Sequence, residues 1–312
     1  MSVNQISGVI REIRECVNNP WKQRNLLANR KNWHMICASM DVIEDSQLAI
    51  NDFYRLPRFT ANSGGYLYLY GLLQAFFVQQ DAVSNLNQSL FNRGIDWKKS
   101  FPDIYSIREL RNDAIGHPTN RGDKSFHFIS RISINETSFE IVSYHGDSNY
   151  KFDKKCVNLN FLRTIQTQII GQILSAVKET LQSEWTEYKQ KFNGMNLMSL
   201  IPENFAYSLS KVYEGYTSNN ALAELCFNEL ITCYTEIKDG IIERYGSIDA
   251  LHSVEHITDK LDYIILRLQG WISDENLHNN KDAEIFLDGF KYSFDELKEL
   301  LIEIDKEFCN ID

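Results

Sequence analysis

The chain has 312 residues, 43% of them hydrophobic, which is enough apolar material for one large or two ordinary cores. Its formal charge of −10 is unevenly distributed: residues 1–195 carry 23 Lys and Arg against 19 Asp and Glu, while residues 196–312 carry 9 against 23. No run of eighteen apolar residues and no basic-then-apolar leader is present, so neither a membrane span nor a secretory segment is expected, and the cytoplasm is the expected location.

Helical periodicity dominates. A first helix is predicted over Val3–Val17, stopped by Asn18-Asn19-Pro20, and a second over about Ser39–Phe53. Gly64-Gly65 reads as a helix-start turn, since no Lys-Ser/Thr follows to make a phosphate loop. The helix it opens, about Gly65–Phe91, is long and aromatic on its apolar stripe. A further helix is predicted over about Asp103–Gly116.

The period then changes. Ser125–Ile134, Ser138–His145 and Tyr150–Leu159 alternate as strands of a small antiparallel insert spanning about 125–159. Helical pattern resumes over Asn160–Phe192. Together the helices at 39–53, 65–91, 103–116 and 160–192 predict a four-helix bundle with the strands between its third and fourth members. Asn193-Gly194-Met195-Asn196, where the charge changes sign, is the expected boundary between a first domain, 1–195, and an acidic all-helical second domain, 196–312. Helices there are predicted at about 203–215, 219–245, 248–272 and 293–308. The fold class expected is mainly α: a helical bundle with a small antiparallel β insert and a C-terminal helical domain.

Chemistry concentrates at the end of the 103–116 helix. At about 100° per residue, Ile104, Ile107, Arg108, Arg111 and Ile115 share one sector, so Arg111 lies amid apolar neighbours and needs a partner. Gly116 and Pro118 bracket His117 as a helix stop, glycine tolerating a left-handed cap and proline ending the helix. His117 can then swing back toward Arg111. On the 65–91 helix, Gln80 and Asn87 fall on the apolar stripe and Asp81 on its edge, which makes Gln80 and Asp81 the expected supports for Arg111. Arg108, Arg111, Arg121, Lys124 and Arg131 form a local basic patch for RNA phosphates, whereas the acidic last third repels nucleic acid.

Arg111, the polar Asn112 and, after five intervening residues, His117 resemble the ribonuclease motif of the HEPN superfamily (higher eukaryotes and prokaryotes nucleotide-binding): Arg, four to six residues, His. The resemblance spans about half the chain and does not reach the last third. It implies a four- to five-helix bundle over about residues 38–190 and an endoribonuclease that needs neither metal nor cofactor. Arg111, His117 and Asn112 would be catalytic, with Asp113 in support. It also implies a homodimer whose two motifs face one cleft, in a toxin or phage-defence setting with RNA as substrate and an antitoxin as possible partner. The rival expectation is a non-catalytic helical interaction module binding a protein partner.

Two other patterns carry less. His252-x-x-Glu255-His256 matches an inverted zinc-peptidase pattern, but no third ligand follows at a suitable distance and an exposed histidine pair is expected. The six cysteines show no Cys-x-x-Cys pair and read as buried thiols.

Overall fold

A computed structural model describes residues 3–122, 125–145, 152–218 and 222–309. In them the chain is mainly helical with one three-stranded antiparallel sheet. It divides into two compact units, Met1–Asn18 with Asn25–Gln182 and Asn19–Arg24 with Ser183–Asp312. The division falls at Gln182 rather than at 195. The turn expected to separate domains is instead built into the second unit, where the Leu197 and Met198 amides both donate to Asp305, each at 2.9 Å.

The first unit contains α1 (Val3–Asn18), α3 (Arg30–Phe53), α4 (Gly65–Phe91), the short α5 (Trp97–Ser100), α6 (Pro102–Arg111) and α7 (Leu159–Gln190) as far as Gln182, while α2 (Pro20–Leu27) straddles the division. Helix α3 begins nine residues before the expected Ser39, because the Asn29 side chain accepts from the Asn32 amide and caps a polar first turn. Gly64, at φ 89°, is the N-cap of α4. Gly65 must be glycine for a different reason: a Cβ there would lie 2.6 Å from the Thr60 carbonyl oxygen. Ile36, Met40 and Ile43 of α3, Leu73 and Phe76 of α4, Ile104 and Ile107 of α6 and Ile170 and Leu174 of α7 share one buried core.

A chain of amides runs through this core. Gln80 donates to Gln166 (2.8 Å), Gln166 to Gln79 (2.9 Å), Gln79 to Gln47 (3.0 Å) and Gln47 to Asn51 (2.9 Å), linking α3, α4 and α7. Each of the four glutamines is buried, yet every buried polar side-chain atom described has a partner. Gln166 also donates to the Phe76 carbonyl. Removing the middle member, Gln166→Ala, orphans Gln79 Oε1 and Gln80 Nε2 and is expected to cost about 1–3 kcal/mol for each polar group left unsatisfied. The exposed Gln88→Ala should stay within about 0.5 kcal/mol of the parent. Urea melts of the two variants giving equal midpoints would refute a stabilising role for the chain.

The sheet is a meander of β1 (Ser125–Ile129), β2 (Ser138–His145) and β3 (Phe152–Asn158), with Phe126 opposite Tyr144 and Tyr144 opposite Phe152. Alternation puts Ile129, Phe139, Ile141 and Val157 into the core and Phe126, Phe128, Tyr144 and Phe152 on the outer face. Strand β1 stops at Ile129 rather than Ile134, because Arg131–Ser133 coil into a tight turn in which Ser133 accepts from the Glu140 amide. Tyr150, the expected start of β3, lies outside the described residues.

The second unit contains α8 (Phe205–Ser218), α9 (Leu222–Tyr245), α10 (His252–Ser273) and α11 (Lys281–Cys309). Helix α11 starts twelve residues before the expected 293, and Leu287, Phe290, Phe294, Leu297 and Leu301 line its buried face. At its heart Arg244 and Asp305 form an ion pair of 2.8 Å, their side chains 2% and 8% exposed. Of the cysteines, Cys226 and Cys233 are buried, and burial pushes the Cys233 thiol up to about 11. Cys156, expected to be buried, is exposed on β3, and the Cys309 side chain lies outside the described residues. No helix among the described residues is long and apolar enough to cross a membrane.

Candidate functional site

Helix α6 starts at Pro102, whose missing N–H costs nothing in a first turn, and ends as an α-helix at Arg111. Asn112–Gly116 then continue in π geometry, closed by a 2.8 Å bond from the His117 amide to the Asn112 carbonyl oxygen. A regular helix to Gly116 was expected. The inserted wide turn is a geometry that recurs at functional sites, and here it carries the Arg-to-His motif. Gly116 does not adopt the left-handed cap expected of it, since the positive-φ glycines among the described residues are Gly64, Gly122, Gly194 and Gly246. Its lack of a side chain makes room instead: a Cβ would lie 2.8 Å from Arg111 Nη1 and 3.1 Å from Asn112 Oδ1. The Arg111 guanidinium therefore folds over the residue directly preceding His117, and the His117 side chain is exposed.

Arg111 is half-buried. Its Nε and Nη2 donate to Gln74 Oε1 at 3.1 and 2.9 Å, and its Nη1 to Asn112 Oδ1 at 3.1 Å. The guanidinium carbon sits 4.5 Å from the centre of the Phe77 ring, with that of Arg108 4.1 Å from the same ring. Gln80 and Asp81, the expected partners of Arg111, hold Arg108 instead, Asp81 at 2.8 Å and Gln80 at 3.3 Å. The reassignment follows from the spacing of α4: Gln74 and Asp81 flank Phe77 on either side, one reaching each arginine. Arg108 is thereby neutralised, whereas every acceptor of Arg111 among the described residues is uncharged.

Asp113 ties the π turn to the sheet. Its carboxylate receives Arg121 Nη1 and lies 3.6 Å from His127 Nε2, and Arg121 also reaches Glu109 at 2.5 Å. Burial works against the Arg121 charge, but Asp113 and Glu109 outweigh it and hold its pKa above the usual arginine value. The His127 ring, 8% exposed, also bonds Ser143 Oγ at 2.8 Å and Ser125 Oγ at 2.9 Å. Its amide donates to the Pro118 carbonyl oxygen at 2.6 Å.

The expected basic patch is accordingly engaged in part. Arg108 and Arg121 are engaged in ion pairs, Arg131 is exposed, and Lys124 lies outside the described residues. Asn87 donates to the Arg93 carbonyl oxygen. Sequence reasoning missed Gln74, Phe77 and His127. Gln74 and Phe77 belong to α4, distant in sequence from the motif, and His127 follows only the alternation of β1. His252 is 97% exposed and meets Glu255 at 3.4 Å, and no group of three His, Cys, Asp or Glu among the described residues is placed to hold a metal ion. No family model matches the chain, nor does any curated protein or solved structure.

Proposed function

We propose that this chain is a metal-independent endoribonuclease of the HEPN type, acting as a homodimer on RNA. One observation carries it: a ring-stacked, half-buried arginine with uncharged acceptors is folded over the residue next to an exposed histidine. Three of the five guanidinium N–H groups of Arg111 are used, which leaves two for a phosphate oxygen. Uncharged acceptors position a cation without cancelling its charge, the arrangement needed to stabilise charge gathering on phosphorus.

In the proposed reaction a ribose 2′-oxygen attacks the adjacent phosphorus and the bond to the 5′-oxygen breaks. His117 takes the 2′-hydroxyl proton, and the His117 of a second copy supplies a proton to the leaving oxygen. Asn112 holds Arg111 through Oδ1, and its NH₂ is left to donate to the phosphate. Asp113, through Arg121 and His127, keeps the π turn in place. A toxin or phage-defence role in the cytoplasm, with an antitoxin as partner, belongs to this proposal through the resemblance of the motif. The rival, an interaction module that binds a protein, draws on the hydrogen bonds that already hold Arg111.

The test is incubation with total RNA in EDTA. Wild-type protein should cleave and leave 2′,3′-cyclic phosphate ends, His117→Ala should not, and light scattering at micromolar concentration should give the mass of a dimer. Cleavage abolished by EDTA and restored by a divalent metal would overturn the mechanism, and a monomeric mass would overturn the two-copy cleft.

A further inference from the structure

Four large aromatic side chains, Phe126, Phe128, Tyr144 and Phe152, share the outer face of the sheet and are between 38% and 50% exposed. They form a row across all three strands. Phe128 lies 5.9 Å from Tyr144 with the ring planes 25° apart, and Tyr144 lies 6.0 Å from Phe152. Lys154, two residues along β3, holds its ammonium 5.7 Å from the Phe152 ring. The one aliphatic residue between them, Val142, is buried beneath the rings. An exposed contiguous patch of this kind on a single chain marks a binding surface. Its composition fits a nucleic-acid occupant, because rings with a cation at the margin offer planar faces for bases and a contact for a phosphate.

The strand that carries two of these rings is also joined to the motif. Strand β1 carries Phe126 and Phe128 on its outer side and His127 on the other, and His127 meets Asp113 of the π turn. Two backbone bonds, His127 N–H to Pro118 O and Arg121 N–H to Ser125 O, fasten the segment after His117 to this strand. Of the arginines expected to meet RNA, Arg108 and Arg121 are meanwhile engaged within the protein.

We infer that the outer face of the sheet is a stacking platform for the bases of single-stranded RNA, with Lys154 contacting a phosphate, and that it delivers the strand to the His117 site. The inference rests on the proposed ribonuclease activity for its substrate class and not for its geometry. Bases stack on such rings irrespective of sequence, so the platform supplies affinity without sequence preference.

The experiment uses fluorescence anisotropy of the full-length protein carrying His117→Ala, with a labelled oligouridine of about 12 nucleotides as probe. Replacing Phe128, Tyr144 and Phe152 together by leucine keeps the face apolar but removes its rings, and should weaken binding by about tenfold or more. Replacing Phe128 and Phe152 by tyrosine should leave affinity within about twofold. Lys154→Gln should lower the slope of log affinity against log salt by about one. Phe152→Leu alone, at the most exposed ring, repeats the test should the triple variant fail to fold, with a smaller loss in the same direction.

Leucine variants that bind as tightly as the parent overturn the platform. So does a leucine variant whose light-scattering mass falls by half, because the face is then an interface between copies. Ring-dependent binding with no cleavage by the His117 parent leaves the platform standing and removes the ribonuclease activity. Cleavage retained with ring-independent binding does the reverse.

Discussion

Asp305→Ala is expected to lower the stability of the second unit by about 3–5 kcal/mol. Asp305 accepts from Arg244 at 2.8 Å and from the Leu197 and Met198 amides at 2.9 Å each, so its loss strands the guanidinium and the Leu197 amide at once, while the Met198 amide keeps Asn196 Oδ1 at 2.8 Å. Arg244 has little recourse. Its other hydrogen bond goes to the Met195 carbonyl oxygen, and the Phe192 and Phe308 rings crowd its guanidinium at 5.9 and 4.9 Å. Replacing both partners by apolar residues should cost far less than replacing one, since the penalty comes from the unpaired charge. Amide hydrogen exchange locates the effect: in Asp305→Ala protection should fall across α9 and α11 and persist in the amides of α4. Unchanged protection in α9 and α11 would refute the central role of this pair.

Arg111→Ala is expected to reduce RNA cleavage by about 10²–10³, the range for losing one preorganised donor to a developing anion, with only a small change in stability. The two effects separate because Gln74, left without its donor, is not fully buried and can turn to water. Arg111→Lys should not restore activity, because an ammonium cannot bond Gln74 and Asn112 together and still present two N–H groups to a phosphate. Cleavage by Arg111→Lys at the wild-type rate would make Arg111 a surface charge and return the chain to the interaction-module alternative. Gly116→Ala provides a geometric control: its Cβ would displace Nη1 from a position 2.8 Å away, so activity should fall while both arginine and histidine remain.

Elements whose apolar period is uninterrupted were readable from the residues. Helix α4 occupies its expected span to the residue, and β2 does the same, because long runs of one period admit one register. Elements that begin in polar sequence were not. The first nine residues of α3 rest on the Asn29 cap, and the first twelve of α11 include Gly289, whose helix cost of about 1 kcal/mol is outweighed by burial of Leu287 and Phe290. The site divides along the same line. That Arg111 faces inward and that Gly116 matters are visible in the spacing. That Gln74 rather than Gln80 holds Arg111 depends on how α4 and α6 meet, and the π turn depends on contacts from β1 and Arg121, neither of which any local pattern records.

The amide chain in the first unit has a sense as well as a path. A guanidinium only donates, so Gln80 must turn its oxygen toward Arg108, and each later amide is then compelled to face the same way. The Phe76 carbonyl, which only accepts, imposes the same orientation on Gln166 from inside the core. One bond at the mouth and one in the interior thus write the same direction twice. An Arg108 substitution consequently leaves no ambiguity for the interior to resolve, and its consequences stay at the surface beside Phe77, where they can be read as chemistry of the site rather than as a rearrangement of the fold.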